Sequence, residues 1–86
     1  MIITIDGLSI KKKEDFYQNI KKELNAPQYF GNNLDALYDL LTEQPDILQI
    51  KFIHYNMMRQ QLGIPFCQRI LKVLQDADIL TIIDEH

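Results

Sequence analysis

The chain has a single cysteine, Cys67, which rules out an internal disulfide and offers no thiol spacing for a metal. One thiol suits a reducing compartment. Histidine is nearly as scarce, with His54 at the end of an apolar run and His86 at the last position. There is no Gly-rich phosphate loop and no His-Glu-x-x-His pair. No apolar run approaches the roughly 20 residues of a membrane helix. No basic segment leads into an apolar stretch at the start, so neither a secretory leader nor a membrane span is expected. A net charge of −3 argues against general binding of phosphate backbones. Repeats, low-complexity tracts and linkers are missing too, so residues 1–86 are expected to form one domain, without cofactor, membrane or nucleic-acid partner. A domain of this size buries only about 60% of its unfolded surface, which leaves a thin stability margin.

One absence is local. Between Lys22 and Lys51 there is no lysine or arginine, while the span holds Glu23, Asp35, Asp39, Glu43 and Asp46 with Tyr29 and Tyr38 interleaved. Such an acidic, aromatic stretch suits a basic partner, because tyrosine gives contact area at low entropy cost and the acids attract and orient. Pro27 and Gly31 mark a loop, and Asn32 or Asn33 can cap the helix that follows. Leu34, Leu37, Leu40 and Leu41 fall on one helical face, and Asp35, Tyr38, Asp39 and Thr42 on the other. Two aspartates four apart repel at a cost of about 0.2–0.5 kcal/mol in an isolated helix. The bland account of them is a solvated polar face.

Elsewhere, Met1 to Ile5 reads as a strand with apolar residues on both faces, hence buried, ended by Asp6-Gly7. Lys11-Lys12-Lys13 reads as a solvated basic run. Lys13 to Leu24 has helical periodicity, with Phe16, Ile20 and Leu24 as its stripe and Asn25 and Pro27 as its stop. Thr42 to Asp46 reads as a loop. Ile47 to Ile53 is the strongest strand, expected at the sheet centre with Leu48, Ile50 and Phe52 on one face. A short helix is predicted from Asn56, its candidate cap, to Leu62, with Met57 and Met58 as core filling. After Gly63, Pro65 opens a helix to about Ala77, whose stripe is Phe66, Ile70, Val73 and Ala77, with Cys67, Leu71 and Leu74 alongside. Ile79 to Ile83 is the last strand. The order β-α-α-β-α-α-β implies an α/β fold, a three-stranded parallel sheet packed against helices.

Catalysis would have to use Asp35 and Asp39 as an acid–base pair or as ligands of a divalent ion. Neither use is supported by a neighbouring histidine or a metal-binding pattern. Cys67 lies beside an apolar face, which suits an inert buried thiol, and a strand-end His54 suits a locally satisfied side chain. The inventory therefore favours a binding protein over an enzyme.

Tyr29-Phe30-Gly31-Asn32-Asn33-Leu34-Asp35-Ala36-Leu37-Tyr38-Asp39 resembles the signature of the barstar family, the intracellular inhibitors of barnase-type ribonucleases. The pattern is an aromatic pair, Gly, a polar residue, Asn-Leu-Asp-Ala-Leu, an aromatic and Asp. Lys21-Lys22-Glu23-Leu24 and its spacing to Pro27 are also similar to that family, and a weaker resemblance covers nearly the whole chain. The resemblance implies a barstar-like fold and a cytoplasmic inhibitor, monomeric when free, whose partner is a basic secreted ribonuclease. Asp39 would be the central anchor, with Asp35, Tyr29, Tyr38, Asn33, Leu34 and Thr42 around it and Asp76 as a second acidic contact. The same chemistry follows from the partner's side. A ribonuclease site is cationic, and two helix-borne carboxylates can take the place of phosphates. The chain departs from the family's type member, which has Trp at the position of Tyr38 and Gly-Trp at Glu43-Gln44, and the segment after Asp76 is shorter. A non-inhibitory module that docks on another basic protein is the alternative from a different class.

Overall fold

Three strands and four helices follow the predicted order in the computed structural model, which describes residues 1–27, 30–43 and 49–86. They are β1 (Ile2–Asp6), α1 (Lys13–Leu24), α2 (Leu34–Thr42), β2 (Gln49–Ile53), α3 (Tyr55–Leu62), α4 (Ile64–Asp76) and β3 (Leu80–Ile83), with a 3-10 turn at Gly7–Ser9. The sheet is parallel throughout, in the order β1-β2-β3 with β2 central as expected. Ile50 stands between Ile3 and Thr81, and Gln49 between Ile2 and Leu80.

The register explains a correction to β1. Among the described residues, helices cover one face of the sheet. Ile3, Ile5, Ile50 and Phe52 face the core and are fully buried, whereas Ile2 on the other face is 64% exposed. Apolar residues at both parities of a strand do not guarantee two covered faces, because coverage is decided by where the crossover helices pack.

The helix ends follow from residue chemistry. Asp15 accepts hydrogen bonds from the backbone N–H groups of Lys11 and Lys12, at 3.0 and 3.1 Å, which satisfies donors at the start of α1. Asn25 closes the helix in the left-handed region, where asparagine is tolerated. Phe16, Tyr17 and Ile20 are its buried face. α3 begins earlier than predicted. His54, not Asn56, is its N-cap residue, in the left-handed region at φ 51°, and Asn56 lies exposed within the first turn. The imidazole Nδ1 lies 3.0 Å from Asp6 Oδ1, which ties this turn to the end of β1. Met58 is fully buried in the core, whereas Met57 is half-buried and is not part of it.

In α4 the buried residues are Phe66, Cys67, Ile70 and Leu74, so Cys67 and Leu74, expected alongside the stripe, stand at its centre, with Val73 and Ala77 at the margin. Pro65 sits in the first turn as expected. β3 begins at Leu80, one residue after the predicted start. The predicted start of β2 at Ile47 and its face residue Leu48 lie outside the described residues, as does most of the loop expected to end at Asp46.

Candidate functional site

Asn33 is the N-cap of α2. Its side-chain oxygen accepts from the Ala36 N–H at 2.8 Å, and its carbonyl accepts the first helical bond from Leu37. Asn32, the other candidate cap, has a different task. Its side-chain oxygen accepts from the Lys21 ammonium at 2.6 Å. Lys21, in the last turn of α1, is only 4% exposed. It joins α1 to the segment that enters α2.

Leu37, Leu40 and Leu41 are buried and Leu34 is partly buried against the core. The opposite face presents Asp35, Tyr38, Asp39 and Thr42 to solvent. Thr42 donates its hydroxyl to the Asp39 carbonyl at 3.1 Å, closing the last turn. Among the described residues neither the Asp35 nor the Asp39 carboxylate has a hydrogen bond or ion pair. Glu43 follows as the C-cap and is exposed. Tyr29 and Gln44 lie outside the described residues.

Asp76, on the last turn of α4, is partnered within its own helix. The Lys72 ammonium lies 2.9 Å from its carboxylate, with both side chains exposed. An exposed pair of this kind is worth little to the fold, and a partner can replace it at small cost.

The tertiary structure also adds cations that the sequence window around α2 lacks. α2 packs against α4. Asp35 borders one groove with Lys13 and Arg69 and a second with Arg69 and Lys72. The stretch from Lys22 to Lys51 is free of basic residues along the chain but not in space. No local pattern announces this, because Arg69 lies more than thirty positions away and reaches Asp35 only through helix packing.

Cys67 is buried, and burial pushes its thiol up from the ordinary range, which keeps it protonated. Among the described residues no group of His, Cys, Asp or Glu is arranged to hold a metal ion, and no helix is long and apolar enough to cross a membrane.

Residues 1–81 match the family described as Barstar (barnase inhibitor). The chain belongs to the barstar family. It is also 34% identical over 76 residues to a protein of Bacillus subtilis (strain 168) named "Putative ribonuclease inhibitor YrdF", an alignment that covers 87% of this chain and 82% of the relative. In this barstar-family chain the signature stretch is the one that enters and forms α2, and its leucines are the buried half of that helix.

Proposed function

We propose that this protein inhibits a secreted, barnase-type ribonuclease by laying α2 across its cationic active site. The observation that carries the proposal is the pair Asp35 and Asp39, on adjacent turns of an exposed helix face, with no carboxylate partner among the described residues. The family match and the name of the Bacillus relative support a ribonuclease as the target. A rigid helix presents both anions without ordering cost at the moment of docking, which favours affinity. Asp39 anchors the centre. Asp35, Tyr29, Tyr38, Asn33, Leu34 and Thr42 surround it, and Asp76 supplies a second acidic contact. Tyr38, already 41% exposed, gives the contact its aromatic area. The inhibitor works by occlusion, without catalysis and without a cofactor. It acts in the cytoplasm as a monomer until it meets the enzyme, and so protects the cell that makes it.

The test is an RNA-cleavage assay with barnase-type ribonucleases, run with increasing amounts of this protein. Stoichiometric loss of cleavage supports the proposal. Tight binding that leaves cleavage intact would instead favour a non-inhibitory docking module.

A further inference from the structure

Beside the acidic face of α2, α1 and α4 contribute basic side chains to a shared groove. An open groove of about 630 Å³ is lined there by Lys13, Asn32, Asn33, Asp35, Phe66 and Arg69. A second groove of about 510 Å³ continues past Asp35 and Arg69 to Lys72. Lys13 is held with its ammonium 4.9 Å above the Phe66 ring, and Lys72 is engaged by Asp76. Arg69 is exposed and, among the described residues, has neither an ion pair nor a ring partner. It shares a groove with Asp35 without coming within ion-pair distance of it.

We infer that this groove receives an acidic side chain of the partner ribonuclease, with Arg69 as its principal contact. The docking face is then bipolar, acidic at Asp35 and Asp39 and basic at Arg69 and Lys13. The inference rests on the function proposed above and concerns how the partner is chosen and aligned.

Two physical points carry it. The first is continuity. An interface of ordinary size takes about 800 Å² from each partner. The whole surface of this small protein is 5258 Å². Asp35 borders both grooves, so a partner that covers Asp35 and Asp39 also reaches the groove mouths. The second is charge. A partner that was cationic across the whole contact would meet Arg69 and Lys13 as like charges, and covering an uncompensated guanidinium is costly. A carboxylate there accepts the two parallel N–H bonds that a guanidinium offers. Opposite charges at two separated points also fix the docking register, and they discriminate against ribonucleases that lack the acid. A nucleic-acid phosphate is the poorer occupant, because Asp35 and Glu14 line the same groove and the chain has a net charge of −3.

The experiment measures the dissociation constant for one ribonuclease that this protein inhibits, using the intact chain and its Arg69→Glu, Arg69→Gln and Asp39→Ala variants. Thermal melts check that each variant folds. Arg69→Glu is expected to weaken binding by about tenfold and Arg69→Gln by less, as charge-coupled contacts do. Replacing single acidic residues on the ribonuclease rim by lysine should identify one that restores binding to Arg69→Glu but harms binding of the parent chain. A purely structural role for Arg69 gives no such rescue. If Asp39→Ala weakens binding while both Arg69 variants bind like the parent, the bipolar face is wrong and the inhibitor assignment stands. If no ribonuclease is inhibited, or Asp39→Ala has no effect, the assignment falls and the inference falls with it. If Arg69→Glu spares the ribonuclease contact but abolishes retention of a short single-stranded RNA, the groove serves nucleic acid and the inference is overturned.

Discussion

Lys21 and Asn32 are joined by a 2.6 Å hydrogen bond from the ammonium to the side-chain oxygen, eleven positions apart in the chain. The bond fastens the end of α1 to the segment that leads into α2, so the exposed acidic face inherits its position from a buried lysine.

Lys21→Met keeps the apolar stem and removes both the charge and the bond. Relief of a buried charge offsets the lost hydrogen bond, so global stability should change by no more than about 1 kcal/mol. Local order should suffer more. Hydrogen exchange at the Ala36 amide, which depends on the Asn33 cap, is expected to quicken. An unchanged exchange rate would show that the cap holds without the lysine.

Asp39→Ala separates binding from folding. The side chain is exposed and unpaired among the described residues, so the melting transition should move by no more than about 0.5 kcal/mol in equivalent stability. Loss of ribonuclease binding should exceed about 2 kcal/mol, the usual threshold for an interface hot spot. The barnase–barstar pair is itself a reference case for such hot spots, so that magnitude is carried over from the family. Equal losses of binding and stability would contradict an anchoring role.

Salt offers a kinetic check. The screening length shortens from about 10 Å at 0.1 M salt to about 3 Å at 1 M. Association with a cationic ribonuclease should therefore slow steeply over that range, while dissociation changes less. Stopped-flow mixing measures both, and a flat on-rate would remove electrostatic steering from the account.

Tyr55 sets an alkaline limit. Burial, with the neighbouring Cys67, pushes its phenol up to about 12 from an ordinary 10.0. The folded state favours the neutral phenol. This contribution to stability is complete below pH 10.0 and is lost as pH rises toward about 12, because the unfolded chain ionises first. Burial raises the Cys67 thiol as well, which steepens the decline. Tyr55→Phe should flatten the fall in denaturation midpoint over that window.

Gly7→Ala tests the junction between β1 and α3. A Cβ on Gly7 would lie 2.0 Å from the His54 carbonyl oxygen, a backbone atom that cannot move aside alone. Destabilisation at the upper end of the roughly 1–3 kcal/mol typical of overpacking is expected in chemical denaturation.

Much of this molecule was readable from local pattern. The bounds of α1 follow its apolar period and Asn25, and the buried and exposed halves of α2 follow the spacing of its leucines. Gly63 and Pro65 mark the passage between α3 and α4. The misjudged details share one cause. Ile2 is open, the face of α4 is centred on Cys67 and Leu74 as much as on Phe66 and Ile70, and α3 starts from a left-handed His54. Each depends on which remote element packs where, and no residue's own propensity carries that information.

The amino-acid order by itself determined the α/β topology, the leucine-anchored helix and the family signature, because periodicity, capping and turn chemistry act over a few neighbouring residues. Only the tertiary structure decided that Lys21 is buried against Asn32, that Asp76 is engaged by Lys72 and that Arg69 lines the same groove as Asp35. Charge neighbourhoods are set by helix packing across the whole chain, where sequence distance and spatial distance part company.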